Sequence, residues 1–216
     1  MDVKAIDAIL AAGPVMAVVV VDTVASAIGL ARALCAAGNP LIEITLRTPA
    51  ALEAITAVAR EAPEALVGAG TVVTPQDYEA VIAAGAKFAI SPGGTPHLLR
   101  ACVDGPIPLL PGIATASELM AGMEQGYRRF KFFPAESAGG AGALKALHGP
   151  FPDVRFCPTG GIGPGNAGQY WALGNVACVG GSWIAPADAI RRGDFAEVER
   201  LTREAVALRS KALSSS

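Results

Sequence analysis

The sequence predicts an α/β fold: a (β/α)8 TIM barrel with a short N-terminal helix, filling residues 1–216 as a single domain. Three observations predict it. Short β-rich runs alternate with Ala/Leu-rich helical stretches from end to end. Gly, Pro and Thr punctuate them at intervals rather than in one low-complexity block. Eight such units in 216 residues leave about 27 residues each and no linker. Alternating β and α implies a parallel sheet with helices on its faces. Eight repeats favour closure into a barrel over an open doubly wound sheet.

The elements follow in order. The opening stretch MDVKAIDAILAAG carries two Asp and one Lys. Val3, Ile6, Ile9 and Leu10 fall on one face, which predicts a short amphipathic helix and not a secretory signal. The first strand is expected at 15–21, an apolar run far shorter than the ~20 residues of a membrane span. Its helix, 24–37, stops at Ala37-Gly38. The second strand, 41–46, leads to a helix at 49–61 with Thr48-Pro49 as its start. The third strand is 66–70, and its helix 75–84 lies between Thr74-Pro75 and Ala84-Gly85. The fourth is 87–90, followed by 95–103 behind Thr95-Pro96. The fifth is 107–110. Its helix, 115–125, carries Glu118 three residues after Thr115, a capping box, and stops at Gln125-Gly126. The last three strands are 128–132, 154–157 and 176–179, with helices at 141–147, 166–173 and 186–209. A break is expected near Gly193, and the tail Ser214 to Ser216 is expected to fray.

Composition narrows the function. A chain 52% hydrophobic and only 17% charged is not disordered. Seventeen basic against nineteen acidic residues give no support to a nucleic-acid or membrane partner. Cys35, Cys102, Cys157 and Cys178 show no C-x-x-C spacing, and only His97 and His148 accompany them. Buried free thiols in a cytoplasmic protein are expected, with no metal. His97 near a helix start and His148 in ALHGP read as surface or capping residues. The first βα turn lacks G-x-G-x-x-G, and no Ser-His-Asp elbow, P-loop or H-E-x-x-H is present.

The C-terminal strand edges are rich in polar residues and glycine, and in a barrel that face holds the chemistry. Alternation in the second strand sets Glu43, Thr45 and Arg47 toward the interior and Ile42, Ile44 and Leu46 toward the helices. An interior carboxylate is costly unless paired or used. In Arg128-Arg129-Phe130-Lys131-Phe132-Phe133-Pro134, the same alternation sends Lys131 inward and Phe130 and Phe132 outward. An apolar wall and a nearby Arg favour a neutral, nucleophilic amine, the usual activation of a Schiff-base lysine. A structural Glu43–Lys131 or Glu43–Arg47 ion pair, or a phosphate-binding Lys131, are the other readings. Gly160-Gly161 and Gly180-Gly181-Ser182 follow the last two strands, where such barrels hold phosphate.

Seven segments in order then resemble the 2-keto-3-deoxy-6-phosphogluconate (KDPG) aldolases, which include enzymes bifunctional with 4-hydroxy-2-oxoglutarate. They are EITLR at 43–47, GAGT at 68–71, ISPG at 90–93, PGIAT at 111–115, FKFFPAE at 130–136, PTGGI at 158–162 and GGSW at 180–183. The resemblance implies a class I aldolase without metal or cofactor, a homotrimer acting on a phosphorylated keto acid. It implies imine formation on Lys131, acid–base work by Glu43, and carboxylate binding by Arg47 and Thr71. It places phosphate around Gly160, Gly161, Gly180, Gly181 and Ser182, and Pro92, Phe133 and Thr159 in the pocket wall. The family often reads P-V-x-P-V in the first strand, where this chain has Pro14-Val15-Met16-Ala17-Val18, so the first strand's part in the pocket is open. Rival readings are a phosphosugar isomerase or epimerase without an imine, a pyridoxal-phosphate carrier using Lys131, and an aldolase for the galactonate epimer.

Overall fold

A computed structural model of the protein describes residues 3–214. The chain runs α1 (Val3–Ala11), β1 (Val15–Val19), α2 (Val24–Ala36), β2 (Leu41–Thr45), α3 (Ala51–Glu61), β3 (Leu66–Gly70), α4 (Pro75–Ala83), β4 (Ala89–Ile90) and α5 (Pro96–Cys102). It continues β5 (Leu109–Leu110), β6 (Gly112–Ile113), α6 (Ala116–Glu124), β7 (Arg129–Phe132), α7 (Gly140–His148), β8 (Arg155–Pro158), α8 (Ala167–Trp171), β9 (Val179–Gly181), α9 (Ala187–Arg192) and α10 (Phe195–Ser214). Every pairing between these strands is parallel. They form a curled sheet in two parts, β5-β4-β3-β2-β1-β9 and β6-β7-β8.

The expected alternation is present, with two local differences. The fifth strand is split at Pro111, which lacks a ladder N–H. Its carbonyl still accepts from the Lys131 amide at 2.9 Å. The eighth strand lies at 179–181 rather than 176–179. Val176 bridges Phe156 and Gly180 bridges Thr159, so one extra residue on the later segment interrupts the ladder, as a bulge does.

Two apolar layers position the strands. Ile42, Ile44, Phe130 and Phe132 pack outward in the large cluster shared with the helices, as alternation predicts. A smaller cluster lies on the other side of the strands. It holds Met16, Leu41, Phe88, Ile90, Leu110, Cys157 and Cys178 together with Ile6, Ile9 and Leu10 of α1. The amphipathic N-terminal helix therefore buries its apolar face among the strands, and Asp7 of α1 pairs with Arg129 at the start of β7.

Helix ends follow local chemistry. Thr74, Thr95 and Thr115 accept from the amides of Asp77, Leu98 and Glu118, and both Thr74/Asp77 and Thr115/Glu118 are reciprocal capping boxes. Gly38, Gly85 and Gly126 follow their helices at φ +83°, +87° and +95°, conformations that favour glycine. Thr48 behaves differently from the sequence expectation. Its hydroxyl donates to the Val21 carbonyl at 2.7 Å, and α3 starts at Ala51 with no side-chain cap. The hydroxyl satisfies the loop after β1 instead of the helix. Thr115→Ala is expected to lower unfolding stability by about 1 kcal/mol in urea denaturation, the usual loss for a cap. The last helix breaks at Gly193, as expected, but α10 then runs to Ser214. Fraying expected at 215 and 216 lies outside the described residues.

Cys102, Cys157 and Cys178 are buried and Cys35 half-buried, all as free thiols. Burial pushes the Cys35 and Cys102 thiols up to about 11, so both stay protonated at neutral pH. The Cys157 partner, 3.5 Å away, and then burial hold the Cys178 thiol well above its ordinary value. Among the described residues no group of three or more His, Cys, Asp or Glu could hold a metal ion, and no helix is long and apolar enough to cross a membrane.

Candidate active site

Glu43 is the middle residue of β2 and is 1% exposed. Room for its side chain comes from Gly70 of β3, where a Cβ would fall on the carboxylate. Lys131 is the third residue of β7 and is 6% exposed. Its Nζ donates to Glu43 Oε1 at 3.0 Å and Oε2 at 3.3 Å, joining residues 88 apart in sequence. The ammonium also lies 5.4 Å from the centre of the Phe133 ring. Burying both charges is tolerable only because each is the other's partner.

Phe133 in turn lines a cavity of about 350 Å³. Arg47, Thr159, Gly160, Gly161, Gly180, Gly181 and Ser182 line it too. Eight of the residues singled out in the sequence thus meet around one space. The glycines there are demanded by geometry. Gly160 and Gly161 sit at φ +107° and +75°. A Cβ on Gly180 would strike the Thr159 side chain, and one on Gly181 would strike Trp183. Bare backbone at these loops leaves room for an anion to approach main-chain groups closely.

Arg47 lies just beyond β2 and is exposed, and its Nε reaches Thr71 Oγ1 at 3.4 Å. Thr71 adopts φ +63°, uncommon for a β-branched residue and a local strain of order 1–3 kcal/mol. Such strain persists where the surroundings impose it, often at ligand sites. Lys131, Glu43, Thr71 and Pro92 do not line the cavity itself. The first two sit beside it through Phe133, and Thr71 touches it through Arg47. Pro92 is exposed after β4, and its carbonyl occupies the place a Cβ on Gly112 would need.

The cavity also has residues that sequence reasoning passed over. Val18, Val19 and Val20 bring the first strand into the wall, so the departure at Ala17 does not remove that strand from the site. The sequence signal for them is their place at the C-terminal end of the first apolar run, the strand edge that faces the site in such barrels. Ile162, Ala185, Ala187 and Ile190 complete the wall. Behind the Gly160 loop, Tyr170 Oη donates to Glu136 Oε1, and the Glu136 amide donates to the Gly160 carbonyl at 3.1 Å. Burial, then Glu136, pushes the Tyr170 phenol up, so it remains a donor. Nothing local in the sequence couples residues 136 and 170.

The arrangement combines an amine held against a carboxylate, a guanidinium, and glycine loops around one cavity. That set suits an anionic carbonyl substrate. Comparison with known proteins agrees. Residues 6–201 match the family model for KDPG and KHG aldolase. The KHG/KDPG aldolase of Escherichia coli K12 is 56% identical over 200 residues, 93% of this chain and 94% of that protein. The 2-dehydro-3-deoxy-phosphogluconate aldolase of Dickeya dadantii is 56% identical over 199 residues, 92% of this chain and 93% of that protein. A crystal structure of the Legionella pneumophila KDPG aldolase, with pyruvate captured as a covalent carbinolamine, superposes with a TM-score of 0.91 at 50% identity, covering 93% of this chain and 97% of that one. With matches of this length and identity, the chain belongs to the KDPG and KHG aldolase family.

Proposed function

We propose that this chain cleaves 2-dehydro-3-deoxy-6-phospho-D-gluconate to pyruvate and D-glyceraldehyde 3-phosphate as a class I Schiff-base aldolase. The observation that carries the reading is the Lys131–Glu43 pair, 3.0 Å apart at the side of a cavity walled by Phe133, Arg47 and the glycine loops. A purely structural pair needs no such cavity beside it.

Within this reading, Glu43 takes a proton from Lys131, and the neutral amine attacks the substrate C2 carbonyl. Glu43 returns a proton as the carbinolamine loses water to form an iminium ion. Glu43 then accepts the C4 hydroxyl proton. The C3–C4 bond breaks, its electron pair flows into the iminium, and glyceraldehyde 3-phosphate leaves. Protonation of the enamine at C3 and addition of water free pyruvate and Lys131. Arg47, with Thr71 beside it, holds the substrate carboxylate through a planar fork that lysine cannot copy. Gly160, Gly161, Gly180, Gly181 and Ser182 cradle the phosphate, while Phe133 and Thr159 form the wall. The same pyruvate-binding half serves 4-hydroxy-2-oxoglutarate, giving pyruvate and glyoxylate.

The reading includes a single domain whose two strand sets close into one eight-stranded (β/α)8 barrel. Supporting closure, only Pro111 separates β5 from β6, and the bridges at Phe156 and Thr159 tie the β8 side to the β9 side. It includes a homotrimer in the cytoplasm, carried by the family resemblance. The test is incubation with pyruvate and sodium borohydride, then peptide mass spectrometry. A reduced pyruvate adduct is expected on Lys131. An adduct on another lysine, or none, overturns the assignment and favours an isomerase without an imine.

A further inference from the structure

A second charged cleft, of about 320 Å³, lies at the opposite end of the strands from the cavity described above. Arg129 and Arg155, the first residues of β7 and β8, line it with Arg209 of α10 and Asp7 of α1. Three arginines against one aspartate leave two positive charges in a chain whose net charge is −2. The cluster is not a by-product of a basic protein.

Its charges are unevenly satisfied. Arg129 and Arg155 are direct partners on neighbouring strands, an arrangement that like charges disfavour. Arg129 is answered by Asp7, and its Nη1 donates to the Arg128 and Asp153 carbonyls at 3.0 Å each. Among the described residues, the Arg155 Nη1 acceptors are carbonyls, Pro152 at 3.0 Å and Val154 at 3.2 Å. Arg209 donates through Nη2 to the Ala177 carbonyl at 3.2 Å, while its Nε is buried with no hydrogen-bond partner among the described residues. A buried charged donor without an acceptor is expensive, and native structures rarely leave one. Carbonyls take hydrogen bonds but do not neutralise charge.

We propose that this cleft binds the phosphate group of a small metabolite, or free phosphate, at a site separate from the catalytic cavity. A phosphate dianion matches the two excess charges. Its oxygens suit the forked donors of Arg155 and Arg209. The cleft volume leaves space for a short carbon chain attached to the phosphate.

The proposal does not depend on the aldolase reading, and its test is separate. Equilibrium dialysis of the full chain with radiolabelled inorganic phosphate, at low ionic strength, measures sites per chain. Arg155→Gln is expected to weaken one class of site by about tenfold or more, the usual loss of a charge-assisted hydrogen bond. Borohydride trapping of pyruvate on Lys131 is expected to stay unchanged. Arg209→Gln is expected to weaken the same site. Among the described residues Arg155 bonds to nearby carbonyls, so its variant keeps the test valid if the Arg209 change loosens α10. Phosphate binding that is identical in wild type and Arg155→Gln overturns the proposal. Competition by glyceraldehyde 3-phosphate or another phosphate monoester at the arginine-dependent site identifies the metabolite as the occupant; competition by inorganic phosphate alone identifies the free ion.

Discussion

Lys131→Ala is expected to reduce cleavage of the phosphorylated keto acid to the assay background and to leave no borohydride-trapped pyruvate on the chain. Without the amine there is no imine, and without the imine the electron pair of the breaking C3–C4 bond has no acceptor. In the proposed reading the remaining groups still bind substrate but have no covalent route to offer. The substitution also leaves Glu43 buried without its partner. Breaking a buried pair in this way typically costs about 3–5 kcal/mol, so a lower melting temperature is expected. Lys131→Met keeps most of the side-chain volume and separates lost chemistry from lost folding. Circular dichroism on both variants confirms that the inactive protein is folded. An active, folded Lys131 variant would sink the imine mechanism.

Glu43→Gln should lower kcat by about 10²–10⁴-fold, the usual worth of a positioned general acid–base. The amide retains the shape of the carboxylate and an acceptor for Lys131, but it cannot carry protons between the amine, the C2 oxygen and the C4 hydroxyl. Trapping with pyruvate is expected to slow rather than vanish, because Lys131 remains. KM is expected to change far less than kcat, since in the proposed reading Arg47 and the glycine loops hold the anionic groups of the substrate. A kcat within a few-fold of wild type would return Glu43 to a structural role.

Much of the candidate site is legible in the sequence. Period-2 alternation set Glu43 and Lys131 on the inner side of their strands and their Ile and Phe neighbours among the helices, as found. The glycine pairs after the last two strands were visible as spacing, and they line the same cavity. Three threonine caps and three glycine stops were read directly, because a cap depends on residues three or four positions apart. Thr48 does not cap its helix because its hydroxyl donates to a distant carbonyl instead of accepting from a helix amide. The carbonyl of Val21, 27 residues earlier, is the one it takes.

The sequence by itself determined which residues face inward, where helices begin and end, and which loops require glycine, because each is set by local period, capping or backbone freedom. Only the tertiary structure decided what those residues meet. It brought Lys131 within 3.0 Å of Glu43 across 88 positions, put Arg47 on a strained Thr71, drew Val18 to Val20 into the cavity wall, and gathered Arg129, Arg155 and Arg209 at the far end of the strands. The physical reason is that strand order and register control these encounters. They are fixed when all the strands pack on the helices at once, and no local pattern encodes them.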